Sequence, residues 1–286
     1  MLHADNVIRA MTDDGAFRVI VADTTATVRA ALDVQRAETN ELQRTFADLL
    51  TGAILVRESM APNYRLQAIL QRENPRARMV ADTHPDGSAR GLIQLPANIK
   101  ELSLAGHGLL QIARTLHNGS LHQGVVSVPL GSQAMSSAFM AYMQESEQTL
   151  TMIAIGAHFS NGQVAAAGGY MVQLLPDVAE GPLAIMTERL KDFEDIVPLL
   201  ARGAGSPKEL LKEMLYGMPS TKVGEREVRF ACQCSAERLA ASLASLPKAD
   251  IESLMEGGKP LEIECDYCKK SYEFSQQQLE SLLASN

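Results

Sequence analysis

Residues 228–274 read VRFACQCSAERLAASLASLPKADIESLMEGGKPLEIECDYCKKSYEF and hold all four cysteines of the chain. The first pair, Cys232 and Cys234, has the spacing C-x-C, and the second pair, Cys265 and Cys268, has the spacing C-x-x-C. Structural zinc sites have four tetrahedral ligands, and two close pairs of thiolates joined by a folded spacer can supply them. The spacing therefore predicts a Zn²⁺ site with these four cysteines as its ligands.

The residues around the cysteines predict a small α+β module. Leu261–Glu264 and Ser271–Phe274 favour two strands on either side of the second pair, and Glu227–Phe230 favours a strand that enters the first pair. Ser235–Ser245 and Ala249–Met255 favour short helices between them. Such a module buries little apolar surface, whereas structural zinc contributes about 10–16 kcal/mol in small peptides, so metal loss is expected to unfold it.

The residues alone leave two functions open for the site. A permanently ligated zinc ribbon is one, and the spacing by itself favours it. A thiol redox switch is the other, because a C-x-C pair is less usual in closed ribbons and zinc keeps its thiols deprotonated, which is the form that reacts with oxidants.

Composition narrows the classes of function. The chain has 286 residues, 46% of them apolar, and a formal net charge of −8. No apolar run reaches the ~20 residues of a membrane span, and the start of the chain lacks a secretory signal, so we expect a reducing, cytoplasmic location without structural disulfides. Residues 225–286 carry 7 Lys and Arg against 11 Asp and Glu, which disfavours nucleic acid and anionic membranes as partners.

The first two thirds of the chain predict antiparallel sheet. Three pairs of strand-like segments flank a turn of the Asn-Gly or Asp-Gly type, which supplies the positive φ of a tight hairpin. The pairs are Arg78–Asp82 with Arg90–Leu95, Leu109–Leu116 with Gly124–Val128, and Thr149–Phe159 with Val164–Leu175. Phe17–Val21 predicts a further strand.

Helical patterns alternate with these strands. Thr24 or Thr25 can begin a helix to about Arg36, and Asn40 can cap one that runs to about Met60. Another helix is expected from Ser132. Strands and helices mixed in this way indicate an α+β fold, with an antiparallel sheet and packed helices in a large N-terminal domain.

The chain is predicted to have three parts: an α+β domain over residues 1–178, a helical linker over 179–226 and a zinc-binding module over 227–286. In the linker, Leu183–Ala201 and Pro207–Tyr216 predict helices, with Ser206 as an N-cap. Their apolar residues recur at helical spacing, with charged residues opposite. This apolar face consists of Met186, Leu190, Phe193, Val197, Leu210, Leu211 and Met214.

The chain resembles the heat-shock protein 33 family of redox-regulated cytosolic chaperones. Around the cysteines, the matching residues are Phe230, Cys232, Cys234, Ser235, Glu237, Arg238, Leu246, Pro247, Cys265, Cys268, Tyr272 and Phe274. In the N-terminal domain, the matching motifs are Gly124–Val126, Tyr142 with Ser146-Glu147-Gln148, and Ala167–Gly169 through Gln173–Pro176. The resemblance covers essentially the whole chain.

The resemblance implies an ATP-independent holdase and not an enzyme. It implies that the reduced, zinc-bound form is inactive and that oxidation joins Cys232 to Cys234 and Cys265 to Cys268. Zinc is then released, the linker unfolds, and the protein, often as a homodimer, holds unfolded clients. The apolar linker face named above supplies the candidate client-binding residues, and a permanently packed linker beside a purely structural zinc ribbon is the alternative.

The chain departs from the family in one loop, where Leu70–Arg76 replaces the usual glycine-rich turn and leaves the local loop structure open. The six histidines show no metal-ligand spacing with each other. Cys265-Asp-Tyr-Cys268 lies between strand-like segments. A thiol–disulfide oxidoreductase would instead have C-x-x-C at a helix start.

Overall fold

A computed structural model describes residues 4–72, 76–96, 108–116, 118–176, 178–203 and 206–285. The described chain forms two compact units, which divide between Ala231 and Cys232. Both units contain strands and helices, so the predicted α+β class is confirmed. Part of the Leu70–Arg76 segment lies outside the described residues, as do His3, His107 and His117.

The first unit contains a five-stranded antiparallel sheet, here called sheet A. From edge to edge it consists of β10 (Ser220–Glu227), β1 (Asn6–Thr12), β2 (Phe17–Asp23), β9 (Gln163–Leu174) and β8 (Thr151–Ser160). The β8–β9 hairpin and strand β2 confirm two of the predictions. Strands β1 and β10 were not predicted, and they pair with each other across almost the whole unit, with Asn6 opposite Glu227.

A second sheet, sheet B, contains six strands. In order these are β11 (Arg229–Phe230), β5 (Ser88–Gln94), β4 (Ala77–Thr83), β3 (Arg65–Arg72), β6 (Gly108–Thr115) and β7 (Leu121–Val128). Strand β11 runs parallel to β5 and the other pairs are antiparallel, so the β4–β5 and β6–β7 hairpins are confirmed. Strand β3 was not predicted.

Three helices pack with these sheets around a shared apolar core: α1 (Thr25–Gln35), α2 (Asn40–Glu58) and α3 (Ala134–Glu145). Helix α2 contacts strands of both sheets. Its cap is Thr39, whose side chain accepts a hydrogen bond from the Leu42 N–H at 3.3 Å, and not Asn40 as predicted. A Cβ on Gly52 would lie 2.1 Å from the Phe139 ring, so glycine allows α2 and α3 to approach closely.

The segment from 180 to 214, here called the connector, follows β9. It consists of α4 (Glu180–Leu190), a 3₁₀ turn (Lys191–Phe193), α5 (Val197–Ala201) and α6 (Pro207–Met214). The single helix predicted over Leu183–Ala201 is wrong because Pro198 lies within it, where its ring would clash with the carbonyl of Glu194. Ser206 caps α6 as predicted by accepting a hydrogen bond from the Glu209 N–H at 3.3 Å.

The second unit surrounds the cysteines. It contains α7 (Ala236–Ala244), α8 (Lys248–Met255), the antiparallel pair β12 (Leu261–Glu264) and β13 (Ser271–Phe274), and α9 (Gln276–Ser285). The two predicted helices and the two strands around the second cysteine pair are confirmed. Helix α9 was not predicted, although its Leu279 is fully buried in the core of this unit.

Sheet A is buried on both faces. On β2, Ile20 and Ala22 face the core shared with sheet B, whereas Val19 and Val21 belong to a second apolar cluster. That second cluster consists of sheet residues together with buried connector residues. The near-continuous apolar run of β2 is therefore explained by burial on two sides, as in a central strand.

Candidate metal centre

Local folding of the second unit brings the four cysteines together. Cys232 and Cys234 lie on the segment that follows β11 and ends at the Ser235 cap of α7, whose side chain accepts a hydrogen bond from the Arg238 N–H at 3.3 Å. The last β12–β13 pair is Glu264 with Ser271, so Cys265 and Cys268 lie in the turn between the strands. The site is thus built from a helix start and a hairpin turn.

The hairpin turn has the geometry of a metal-binding knuckle. The Cys265 N–H donates to the Lys270 carbonyl at 2.9 Å, and the Lys269 N–H donates to the Cys265 carbonyl at 2.8 Å. Lys269 has a φ of +58°, which lets the chain turn back into β13. Backbone N–H groups of Tyr267 and Cys268 hydrogen-bond the Cys265 sulfur, and such bonds stabilise a thiolate.

The four sulfur atoms lie within 4.8 Å of one another. Cys234 Sγ is 3.3 Å from Cys268 Sγ, and Cys232 Sγ is 3.7 Å from Cys265 Sγ. A tetrahedral zinc ion with Zn–S bonds of about 2.3 Å would hold its sulfurs about 3.8 Å apart. The donor set and its size therefore fit zinc, and within the described residues no other cluster of His, Cys, Asp or Glu could hold a metal.

Electrostatics also favour a cation among these sulfurs. Burial raises the pKa of Cys268 to about 12 and also raises the pKa of Cys265. Burial acts in the same direction on Cys234, but hydrogen bonds from Tyr272 and from the other three thiols outweigh it and lower the pKa of Cys234 to about 7. Four thiolates at this separation repel one another unless a positive ion lies between them.

Tyr272 on β13 is a neighbour of the site whose role the sequence did not predict. Its hydroxyl lies 3.1 Å from Cys234 Sγ and donates to the Cys234 carbonyl at 3.2 Å. The Lys270 ammonium lies 5.0 Å from the centre of the Tyr272 ring, within cation–π range. Groups that hydrogen-bond a metal ligand fix its orientation, and Tyr272 is placed to do this for Cys234.

The core of the second unit is small. Its buried members are Leu243, Cys265, Tyr272, Phe274 and Leu279, so two of the five belong to the metal centre or touch it. A core of this size supplies little stability by itself.

The predicted client-binding residues lie elsewhere, in the connector of the first unit. Met186, Phe193, Leu210 and Met214 are buried against sheet A, and Leu190 and Leu211 are half-buried at the edge of the same cluster. Val197 is half-buried beside Gly156 of β8. Because α4 ends at Leu190, these residues do not form one face of a single helix. The sequence missed other buried residues of this region, namely Ile196 and Leu200 in the connector and Leu215 directly after α6.

Tyr170 on β9 provides the best defined contact between sheet A and the connector. Its fully buried ring lies edge-on to Phe193, with ring centres 6.4 Å apart and planes at 87°. The Tyr170 hydroxyl donates to the Phe193 carbonyl at 3.0 Å, which satisfies a polar group at the end of the 3₁₀ turn. Within the connector, Arg189 of α4 donates to the Met214 carbonyl of α6 at 2.8 Å.

Other sequence motifs have structural explanations. Glu147 accepts a hydrogen bond from the Tyr142 hydroxyl at 2.7 Å and pairs with Arg114 at 2.7 Å. His84 lies 3.3 Å from the buried carboxylate of Asp82, in a cluster that also contains two arginines. These groups stabilise the sheets.

The fold and the site define an α+β protein whose second compact unit carries a cluster of four cysteines that could bind a metal ion. The family model of the Hsp33 protein matches residues 5–275, and the chain belongs to this family. The chain is 29% identical to a 33 kDa chaperonin of Streptococcus gordonii and 27% identical to one of Syntrophotalea carbinolica, with 98% of the chain and at least 98% of each relative aligned.

A solved structure also has the same fold. The crystal structure of the 33 kDa chaperonin (Heat shock protein 33 homolog) from Thermotoga maritima superposes with a TM-score of 0.81, over 99% of each chain, at 24% sequence identity. In the part of this chain that the structure describes, no helix is both long and apolar enough to cross a membrane.

Proposed function

We propose that this protein is a redox-regulated, ATP-independent chaperone that holds unfolding proteins under oxidative stress and catalyses no reaction. The observation that carries the proposal is the cover on sheet A. One face of an otherwise buried sheet is covered by short helices that leave many of their own residues exposed. Family membership and the four-cysteine centre support the same function.

The proposed trigger is oxidation of the cysteines. Two thiols of each pair form one S–S bond and give up two protons and two electrons, while a peroxide accepts them and becomes two molecules of water. Bound zinc would keep the thiols deprotonated and hold the helix start and the hairpin turn together. Once oxidised, the sulfurs are no longer thiolate ligands, so the metal centre is lost.

The proposed disulfides are Cys232–Cys234 and Cys265–Cys268, and this pairing depends on the family resemblance. The two shortest sulfur–sulfur distances given above join cysteines of different pairs. Peptide mapping of the oxidised protein by mass spectrometry distinguishes the two pairings. Cross-linked peptides that join Cys234 to Cys268 would rule out the proposed pairing.

Loss of the metal centre is proposed to unfold the second unit and then the connector. The buried connector residues contribute most through the area they remove from water, about 1.5–3 kcal/mol for each large side chain. Their release exposes both their own apolar groups and the outer face of sheet A. Exposed methionines on such a surface adapt to different clients, because their side chains are flexible and polarisable.

The remaining partners are also proposals. We propose unfolded proteins as clients, a homodimer in the oxidised state, and a cytoplasmic location where thiols are normally reduced. The acidic net charge supports neither nucleic acid nor an anionic membrane as a partner.

The test measures zinc content and suppression of client aggregation on one sample, before and after treatment with peroxide and mild heat. We expect about one zinc ion per chain to be released, aggregation suppression to rise with it, and re-reduction with thiol and zinc to reverse both. Equal suppression by the reduced, zinc-bound protein would contradict the switch. Zinc retention under peroxide, with no gain in suppression, would instead indicate a permanently structural zinc ribbon.

A further inference from the structure

A cavity of about 750 Å³ lies in the first unit, and its lining contains no cysteine. The starts of α2 and α3 and the middle of β8 form its walls, and the break between the 3₁₀ turn and α5 closes one side. Its volume is in the range of small-molecule sites. Because part of its wall belongs to the connector, the cavity depends on the docked position of that segment.

Asp48 of α2 lines this cavity and has an unusual environment. Its Oδ1 atom is enclosed by the protein and has no hydrogen-bond partner among the described residues. An enclosed carboxyl oxygen without a donor costs free energy, so buried carboxyl groups normally have a partner. Arg44 is the charged group that acts most on the Asp48 carboxyl. Its guanidinium, however, lies over the Phe159 ring, 5.9 Å from the ring centre.

Carboxyl groups dominate the charge of the lining. Glu41, Asp48, Glu194 and Asp195 line the cavity, and Arg44 is the positive side chain among its described lining residues. The N-terminal ends of α2 and α3 would favour an anion. However, Glu41 in the first turn of α2 offsets one of these ends, and an anion would lie close to four acidic groups. The arrangement favours a positive ligand.

The shape and the apolar part of the lining distinguish between kinds of cation. Leu130, Met135, Ile155 and Val197 contribute apolar surface between the acidic groups. A metal ion would occupy a small part of this volume, and the described residues do not bring three acidic ligands of the cavity together. A hydrocarbon chain with an ammonium group at each end carries both kinds of group, so it could contact the apolar and the acidic parts of the lining together.

From these observations, we propose that this cavity binds a small aliphatic diamine or polyamine, whose ammonium groups pair with Asp48 on α2 and with Glu194 on the connector. The ligand would bridge the α+β core and the connector. Next to the cavity the two already approach closely, since a Cβ on Gly156 of β8 would lie 2.7 Å from Cγ2 of Val197. Binding therefore favours the docked connector, because the site is complete only in that state.

The ionisation of Asp48 supplies a further readout. Burial raises its pKa to about 8, and the attraction of Arg44 offsets only part of this effect. Near pH 7 the carboxyl is then mostly protonated, although Glu41, Glu194, Asp195 and Arg44 also face the cavity. An ammonium group favours the charged form, so binding should release protons and become tighter as the pH rises towards 8.5, about half a unit above that pKa.

Calorimetry on the full-length, reduced and zinc-loaded protein tests the site directly. Diaminobutane and spermidine are the probes, and butanediol and sodium chloride at equal ionic strength are the controls. We expect saturable one-to-one binding of the amines, with a heat that depends on the ionisation enthalpy of the buffer. Binding should weaken about tenfold or more in Asp48→Asn and in Glu194→Gln, because each variant removes one charge pair.

A matched variant completes the test. Asp192→Asn changes an exposed acidic residue of the same connector that does not line the cavity, and it should bind as the unchanged protein does. Equal binding by all variants, equal binding of butanediol, or no saturable binding would overturn the proposal. Binding of an oligolysine peptide without binding of the diamines would overturn it too, in favour of a peptide site.

The effect on regulation rests on the proposed chaperone function. Amines should slow hydrogen exchange in the connector and delay the gain of aggregation suppression after peroxide. Calorimetry on the reduced protein does not involve chaperone activity, so the two proposals fail separately. Amine binding in a protein that never suppresses aggregation would remove the chaperone proposal and leave the site.

Discussion

Truncation of Phe193 to alanine tests whether the connector is a removable cover on sheet A. The Phe193 side chain is 7% exposed and lies edge-on to Tyr170. The hydrogen bond from the Tyr170 hydroxyl goes to the Phe193 backbone carbonyl, so the substitution leaves its acceptor in place. The variant therefore removes the apolar contact and little else.

The expected effect is large for a short segment. Phe→Ala substitutions in protein cores cost about 3–5 kcal/mol, and a residue at the periphery of its cluster belongs at the lower end. A loss of about 3 kcal/mol changes the ratio of docked to undocked connector by a factor of roughly 100. The reduced, zinc-loaded variant should then suppress client aggregation measurably without any oxidant.

Hydrogen exchange measured by mass spectrometry on the reduced protein checks this magnitude by region. Exchange should accelerate in α4 and α5 and remain slow in β3 and β6 of sheet B. Ile185→Ala is the control, because Ile185 lies in α4 but is 54% exposed. This substitution should change the free energy of opening that exchange reports by less than about 0.5 kcal/mol.

Two outcomes would refute the reasoning. If the connector exchanges at the same rate in the Phe193→Ala and Ile185→Ala variants, the buried Phe193 ring does not hold the connector in place. If Phe193→Ala accelerates exchange equally in sheet B, the connector is an inseparable part of the first unit and cannot serve as a cover.

Three further predictions concern the metal centre and the buried charges. Replacing Cys265 with Ser should lower zinc affinity sharply and make residues 232–285 protease-sensitive while β3 and β6 stay protected. If both regions stay protected, the folding of the second unit does not depend on metal. Tyr272→Phe should weaken zinc retention against a chelator by about 10–100-fold, with Ser275→Ala as the control, and an unchanged rate would show that the hydroxyl does not support Cys234. Burial opposes the charged form of Asp82, but His84 and Arg65 outweigh burial and hold the pKa of Asp82 well below its usual range. The contribution of the Asp82 carboxylate to stability is therefore present above about pH 4 and is lost as the pH falls towards the folded-state pKa. Asp82→Asn should therefore lower the free energy of unfolding at neutral pH by about 3–5 kcal/mol. It should also make this free energy fall less steeply with decreasing pH below about pH 4, and urea unfolding at several pH values measures both effects.

Local signals in the sequence predicted the local parts of this structure. Each hairpin signal corresponds to an observed hairpin, because the positive φ of residues such as Gly87 is required by the turn itself. The β12–β13 pair and the helix that begins after Ser235 are also local features, so the placement of the cysteines could be predicted. Strand β3 had a usable signal that was missed, since its buried residues Leu66, Ala68 and Leu70 alternate.

Features that depend on distant residues could not be predicted in this way. The pairing of β1 with β10 joins residues more than 200 positions apart, so no local pattern reports it. The helical period through Met186 and Val197 suggested one continuous helix, but Pro198 imposes a break. The contact between Tyr272 and Cys234, and the enclosed carboxyl of Asp48, depend on packing that no local pattern reports.

The pairing of β10 with β1 has a consequence for how the connector can move. Strands β9 and β10 both belong to sheet A, so the connector is anchored at both ends, and about 45 residues separate Leu174 from Ser220. A released connector is then a closed loop and not a free tail. Loop closure makes the gain in chain entropy on release smaller, and this reduction corresponds to about 3 kcal/mol. As long as β10 stays paired with β1, the connector remains tethered close to the face of sheet A that it covered. After reduction, it can therefore dock again without first diffusing back to that face.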